Sequence, residues 1–243
     1  AAHRLRTRFG PRVVVSLCGA YTPADRQAAE ERFSVLAPSG AYSYEPSAYS
    51  PRLTATEKDN EQNHFIAAFP ALEAGHPDRF ALDVMNSIVG AGVSSRLFRR
   101  LREEEGLCYS VCSSTATHPH AGFFGVYLAT GPRMEERALR LMAEVLRDFA
   151  RHGPLEEETE RAREQIKANV LMSFESTMWC AQHHGQSELL IGKVPAPEEV
   201  MASFDAVTSE TVRALARKVL DFSALSLSAV GRVSGKDYMS LLT

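Results

Sequence analysis

The sequence predicts an α+β fold, with a mixed, mostly antiparallel sheet and helices packed on one face. Two observations lead to this prediction. Short segments with alternating apolar residues form a hairpin pattern around Pro119 and Gly122, and other strand-like segments follow helices. Longer segments carry apolar residues at helical spacing, which is typical of amphipathic helices. The 243 residues, 44% of them hydrophobic, are enough to bury a sizeable core.

The chain opens with a predicted strand at residues 13–17 and a predicted helix that ends near Leu36. Thr22 provides a capped start for this helix, and Pro23 fits its first position. The residues that we expect to face inward are Ala29, Phe33 and Leu36.

A repeated pattern bears on the organisation of the chain. Residues 14–25 and 226–237 each contain an apolar strand, a glycine and a short turn before a helix start. Gly19 and Gly231 are 212 positions apart, from 231 − 19, which would be the length of one half in a tandem duplication. We then expect a first half, on the order of 190 residues, before Ala1 or in a partner.

Three segments follow from this repeat. We expect residues 1–37 to be the last strand–helix unit of the preceding half and residues 53–243 to be the C-terminal half. Residues 38–52 are rich in Ser, Tyr, Ala and Pro without a period, which indicates a linker.

The remaining elements are predicted from periodicity, caps and breakers. Strands are predicted at 53–57, 63–69, 107–114, 123–130 and 225–230. Helices are predicted at 78–89, 135–151, 155–192 and 209–220, and shorter ones follow an N-cap at Ser94 or Ser95 and follow Pro197. In the helix at 78–89, Ala81, Met85 and Ile88 are expected to face inward. The long segment at 155–192 is expected to break between 173 and 185, and Thr208 is expected to cap the last helix. The acidic residues at 156–158 suit a first helical turn and a solvated face. Phe174 and Trp179, with Met172 and Met178, fit core packing better than the lining of a peptide cavity.

The segment at 90–113 is the most informative part of the chain. Gly106 is expected to end its helix in a left-handed conformation. Arg102 would lie in the last helical turn and Tyr109 in the strand that follows. A guanidinium and a phenolic hydroxyl on two rigid elements could converge on one carbonyl or oxyanion. The spacing also fits a solvated Arg102 and a core Tyr109.

This segment resembles the signature of the C-terminal half of the pitrilysin/insulinase family of zinc metallopeptidases, which includes mitochondrial processing peptidase and many bacterial processing proteases. The resemblance covers most of the chain. The matching residues are Gly90, Gly92, Ser94, Ser95, Arg96, Leu97, Phe98, Leu101, Arg102, Glu103, Gly106, Leu107, Tyr109 and Ser110, with further matches at 61–64, 76–78 and 206–208.

The resemblance implies a metallopeptidase half-unit of the processing peptidase type, one of two halves that close around an unfolded peptide. It implies that Arg102 and Tyr109, seven residues apart, are the site residues of this half. The implied partner is an N-terminal half or a separate zinc-bearing subunit, in a homodimer or a heterodimer. The alternative is a non-catalytic partner or structural subunit of the same family.

The resemblance also implies zinc in the intact enzyme, held by a His-x-x-Glu-His helix and a more distant glutamate of the other half. No two histidines in this chain have the i, i+4 spacing of that motif. A packing role explains His184 and Glu188 better than a metal site does. A hairpin turn explains His118 and His120 better in the same way. We therefore expect this chain to bind no metal or cofactor and to be inactive alone.

Charge and composition argue against other classes. A net charge of −3 and a pI near 6.3 predict no nucleic-acid or membrane partner. The loop at Gly90 lacks the lysine of a phosphate loop and the third glycine of a dinucleotide motif. The four cysteines show no paired zinc spacing, and a reducing, cytoplasmic environment with free thiols is expected.

Overall fold

The computed structural model describes residues 13–36, 48–233 and 235–242. These residues belong to two compact units, one formed by residues 1–47 and 167–201 and the other by residues 48–166 and 202–243. Most of the predicted linker, at 38–47, lies outside the described residues. The predicted segment boundaries stay predictions.

A five-stranded sheet forms the centre of the unit at 48–166 and 202–243, with the strand order β1-β5-β2-β4-β3 among the described residues. β5 runs parallel to β1 and antiparallel to β2. β4 runs antiparallel to both β2 and β3. The mixed, mostly antiparallel sheet predicted from the sequence is confirmed. The strands are β1 (Leu53–Glu57), β2 (Asn63–Pro70), β3 (Ser110–His118), β4 (Ala121–Thr130) and β5 (Ser226–Gly231).

The helices follow the predicted order, and the long helical segment breaks between Ser173 and Thr177, as predicted. None of the helices in the described ranges is both long enough and apolar enough to cross a membrane. The helices are α1 (Pro23–Phe33), α2 (Arg79–Val89), a π-helix (Phe98–Glu104), α3 (Glu135–His152), α4 (Glu156–Ser173), α5 (Thr177–Ile191), α6 (Pro197–Asp205), α7 (Ser209–Val219), a 3₁₀ turn (Phe222–Ala224) and α8 (Met239–Leu242).

Alternation along the central strands gives the sheet a covered face and an open face. Phe65 and Phe69 of β2 and Phe124 and Leu128 of β4 are almost fully buried. The neighbouring Ile66 is exposed on the opposite face. Helix α7 packs against α2 and α3. The helical residues buried with this core include Ala81, Met85 and Ile88, as predicted, and Leu139, Met142, Leu146, Phe149, Val212, Leu215 and Val219.

Strand β3 begins later than predicted, at Ser110 instead of residue 107. The reason is the end of the π-helix, where the Leu107 N–H donates to the Leu101 carbonyl at 2.8 Å. Leu107 is thereby buried against the helix rather than paired in the sheet. Tyr109 precedes the alternating part of the strand and is 70% exposed. The alternative of a core Tyr109 is therefore wrong.

In the unit at 1–47 and 167–201, the capped start of α1 is confirmed. The Thr22 hydroxyl accepts the Asp25 N–H at 3.3 Å, and the Asp25 carboxylate accepts the Thr22 N–H at 2.8 Å. Two details of the prediction are wrong: α1 ends at Phe33, and none of its residues is buried. Residues 13–17, the predicted first strand, have no regular secondary structure and form no strand ladder with any described residue, and a strand needs such a partner for its backbone hydrogen bonds.

The aromatic residues of the same unit pack on one another. The Phe174 and Trp179 ring centroids lie 4.9 Å apart, and Trp179 stacks on His183 at 4.6 Å. Met172 and Met178, which were expected to join this packing, are exposed. Phe174 and Trp179 are only half-buried, so their contact does not place them in a core, and the core interpretation is wrong for the two exposed methionines.

Candidate functional site

The π-helix that carries Arg102 is anchored at its start and its end. The Ser95 hydroxyl accepts the Phe98 N–H at 3.4 Å, so Ser95 is the capping serine of the two that the sequence left open. Leu97 and Leu101 are fully buried beneath the turn. Gly106 has φ +60°, the left-handed conformation predicted for it. A π-helix accommodates an extra residue per turn and occurs frequently at functional sites.

Arg102 is exposed on this helix. Its guanidinium carbon lies 4.9 Å from the centre of the Phe98 ring, which is within the range of a cation–π interaction. The guanidinium makes no hydrogen bond or ion pair with any of the described residues. Its five N–H donors are thus available to a ligand.

Tyr109 is held by its backbone rather than by its side chain. Its N–H donates to the Ala129 carbonyl of β4 at 2.9 Å. The exposed hydroxyl has no hydrogen-bond partner among the described residues. The tyrosine therefore presents a free polar group from a fixed position at the start of β3.

Cys108 is next to Tyr109 in the chain, and its thiol is affected by the charge of Arg102. Burial raises the pKa of the Cys108 thiol, and the positive charge of Arg102 acts in the opposite direction. The charge of Arg102 thus acts on the thiol of Cys108, the residue that directly precedes Tyr109. The structure places Arg102 and Tyr109 on neighbouring elements, but no hydrogen bond joins their side chains in the described residues. Their convergence on one substrate atom stays a prediction.

A second polar pair lies on the open face of the sheet. His64 Nδ1 is 2.8 Å from the Tyr127 hydroxyl, and the two rings are stacked at 6.1 Å. His64 pairs across strands with Ala129, the residue that holds Tyr109. The sequence marked His64 only as part of a family match, and it did not single out Tyr127. The signal for Tyr127 was its alternation with the buried Val126 and Leu128, which places it on the open face.

The described residues contain no group of three His, Cys, Asp or Glu side chains that could hold a metal ion. His118 and His120 flank the β3–β4 turn, where His120 adopts φ 64° and lies 3.8 Å from the Glu73 carboxylate. His184 and Glu188 both lie on α5. The residues described here do not fit a zinc centre, so no step at a metal is assigned to them.

The fold and the Gly90–Ser113 segment define a domain of the zinc peptidase type. The sequence model of the Peptidase M16 inactive domain matches residues 9–166, and the chain belongs to this family. The family membership predicted from the sequence is thereby confirmed.

The curated relatives are longer than this chain. The chain is 31% identical over 226 residues to the uncharacterized zinc protease YmxG of Bacillus subtilis, covering 91% of this chain and 55% of that protein. It is 35% identical over 185 residues to an uncharacterized zinc protease of Streptomyces coelicolor, covering 76% of this chain and 40% of the relative. The chain therefore spans about half the length of such relatives or less.

Solved structures share the fold. A peptidase M16 inactive domain from Pseudomonas fluorescens superposes with a TM-score of 0.78 at 23% identity, covering 90% of this chain and 53% of that one. A chain of complex III from Candida albicans gives a TM-score of 0.80 at 14% identity, covering 91% and 56%. At these identities the likeness establishes the fold alone.

Proposed function

We propose that this chain is the C-terminal, substrate-gripping half of a zinc-dependent processing protease that cleaves unfolded peptides between two halves. Zinc is supplied by an N-terminal half or by a separate subunit, and the protein works in the cytoplasm. The observation that carries this proposal is the pair Arg102 and Tyr109. Both side chains are exposed on neighbouring anchored elements, and neither has a hydrogen-bond partner among the described residues.

The two anchors fit a role in holding a peptide. The Phe98 ring limits the freedom of Arg102, which reduces the entropy lost when its guanidinium binds a carbonyl. The backbone bond from Tyr109 to Ala129 similarly fixes the origin of the phenol. Both groups are donors that suit a peptide carbonyl or the negative oxygen formed during its hydrolysis.

The neighbouring open face offers further groups for an extended peptide. His64 and Tyr127 are polar, and Ile66 and Phe123 are exposed apolar residues of the same face. Such a mixture suits unfolded segments of varied sequence, because apolar contacts are non-directional while the polar groups bind the backbone.

The proposal is tested in the assembled enzyme, with this chain and its zinc-bearing half together. Arg102→Ala and Tyr109→Phe should each lower kcat/KM for an unfolded fluorogenic peptide by about 10²-fold, as expected when an oxyanion donor is lost. A fall in kcat would indicate a contact made in the transition state, and a rise in KM alone would indicate ground-state binding.

The matched controls are Arg99→Ala, an exposed arginine on the same π-helix, and Tyr49→Phe, an exposed tyrosine whose hydroxyl contacts the Ala224 carbonyl. Both should retain turnover within about twofold of the wild type. If Arg102→Ala and Tyr109→Phe match these controls, the two residues do not contact the substrate. A zinc-loaded wild-type assembly without peptidase activity would instead favour the structural-subunit alternative.

A further inference from the structure

Two cysteines lie side by side in the unit formed by residues 1–47 and 167–201. The Cys18 thiol lies close enough to the Cys180 thiol to raise its pKa. Cys18 is exposed and Cys180 is 7% exposed, and both are reduced in the structure. The Cys180 sulfur also lies 3.3 Å from the Phe174 carbonyl. The sequence contains no signal for this pair, because the two residues are 162 positions apart, from 180 − 18.

The path of the segment at 13–18 explains why the two thiols meet. A Cβ atom at Gly185 would lie 3.4 Å from the Ser16 Cβ, and a Cβ atom at Gly19 would lie 3.7 Å from Thr177 Cγ2. The segment therefore runs along α5 in the opposite direction to the helix. Eight helical residues span about 12 Å, and three residues of the segment cover a distance of this size only when their backbone is extended, at about 10 Å. On this scale residue 18 lies opposite position 180.

The side-chain directions agree with this placement. Ser16 and Cys18 are two residues apart in an extended segment, so they project to the same side, and Ser16 projects towards α5. Thr177 and Cys180 are three residues apart on α5 and share one face of the helix. Both thiols thus point into the same contact.

We infer that Cys18 and Cys180 form a reversible disulfide under mild oxidation, which links the segment at 13–18 covalently to α5. Nothing in the proposed peptidase role requires this bond, and its test does not depend on that role.

A peroxide is a sufficient oxidant. The exposed Cys18 sulfur attacks one peroxide oxygen, the O–O bond breaks, one water leaves and Cys18 becomes a sulfenic acid. The Cys180 sulfur then attacks the Cys18 sulfur, the S–O bond breaks and a second water leaves. In total, two thiols lose two electrons and two protons, and one hydrogen peroxide becomes two waters.

The environment gives the two thiols different roles. Burial and the neighbouring Cys18 raise the pKa of the Cys180 thiol, which keeps it protonated and slows its direct reaction with an oxidant. Its position beside Cys18 nevertheless favours the second step, because the reaction is intramolecular.

The experiment treats the intact protein with stoichiometric hydrogen peroxide, blocks the remaining thiols with iodoacetamide after denaturation, and maps peptides by mass spectrometry. The expected result is a peptide pair joined through Cys18 and Cys180, about 2 Da lighter than the two reduced peptides together and separated again by dithiothreitol. On a non-reducing denaturing gel the cross-linked chain should migrate faster, since a long loop is closed.

Cys18→Ser and, as an independent variant, Cys180→Ala should both abolish the cross-link and the gel shift. The matched control is Cys112→Ser, an exposed cysteine that should leave both unchanged. Two results would overturn the inference: Cys18 and Cys180 both remain alkylatable at a peroxide dose that oxidises Cys112, or Cys18 accumulates as a sulfinic acid while Cys180 stays reduced.

Discussion

The guanidinium of Arg96 donates two hydrogen bonds to the carboxylate of Glu158, at 3.0 and 2.6 Å. It donates a third to the Gly153 carbonyl at 3.1 Å and lies 4.9 Å from the Phe149 ring centre. Arg96 therefore joins the residues before the π-helix to the end of α3 and the start of α4. Glu158, predicted to lie on a solvated face, has a side chain only 17% exposed because of this pairing.

Arg96→Ala should lower the free energy of unfolding by about 2 kcal/mol, because it leaves a half-buried carboxylate and a carbonyl without their charged donor. For a chain of this length the melting temperature should fall by about 4–8 °C. Thermal unfolding followed by circular dichroism measures this change. Arg99→Ala, which removes an exposed arginine nearby, should change stability by less than about 0.5 kcal/mol. Equal effects of the two substitutions would contradict the role of the Glu158 pairing.

The same pair should contribute to acid unfolding. Burial alone would raise the pKa of Glu158, but the hydrogen bonds from Arg96 and from the Leu155 N–H outweigh it and hold the pKa below its ordinary value of 4.5. The unfolded chain then binds the proton more tightly than the native protein. The contribution of the pair is present above about pH 4.5 and is lost as pH falls through the native pKa. Urea titrations from pH 7 to pH 3 should show the stability difference between wild type and Glu158→Gln shrinking below pH 4.5.

Asn63→Asp should destabilise the protein in a pH-dependent way. Asn63 is fully buried, donates through its amide to the Glu135 carboxylate, and accepts the Arg232 N–H at 2.7 Å. A carboxylate at this position would face the 4% exposed Glu135 without a donor between them. We expect a loss of about 3 kcal/mol at pH 8 that diminishes towards pH 5, as the introduced aspartic acid takes up a proton.

Chemical denaturation at both pH values measures this change. Asn86→Asp is the matched control, because the Asn86 side-chain oxygen accepts the Ser113 hydroxyl at 2.7 Å and a carboxylate would keep that bond. It should cost less than about 1 kcal/mol at either pH. A pH-independent loss for Asn63→Asp would rule out carboxylate repulsion as the cause.

Gly153→Ala should destabilise the end of α3. Gly153 has φ +76°, and an added Cβ would lie 2.6 Å from the Arg213 Cβ on α7. Backbone strain and this contact together should cost about 1–3 kcal/mol. Gly131→Ala, where no atom lies within 4 Å of the added Cβ, is the control and should be nearly neutral. A stable Gly153→Ala protein would show that α7 can move away from this turn.

Arg102→Ala should slow the alkylation of Cys108. The guanidinium opposes the effect of burial on this thiol, so its removal should raise the Cys108 pKa further and reduce the thiolate fraction at pH 8. Timed iodoacetamide labelling with mass spectrometry reports Cys108 separately from the other cysteines. Arg99→Ala should leave the rate unchanged. An unchanged rate in Arg102→Ala would place the guanidinium away from Cys108, whatever its role in catalysis.

Much of the local structure was predictable because it depends on neighbouring residues. The capping box at Thr22, the cap at Thr208 and the left-handed Gly106 each depend on groups within one turn. The hairpin around Pro119 and the break after Ser173 were predictable for the same reason. The site was predicted only as residue types and spacing, and the roles of Arg102 and Tyr109 stay predictions.

The sequence by itself determined the order and type of the main elements, the inward faces of α2 and α3, and the family to which the chain belongs. These depend on periodicity and on short motifs, which are local properties of the chain. The tertiary structure decided the parallel pairing of β1 with β5, the exposure of Tyr109, and the pairs His64–Tyr127 and Cys18–Cys180. Each of these requires residues from distant parts of the sequence to meet, and such meetings are set by how the elements pack together.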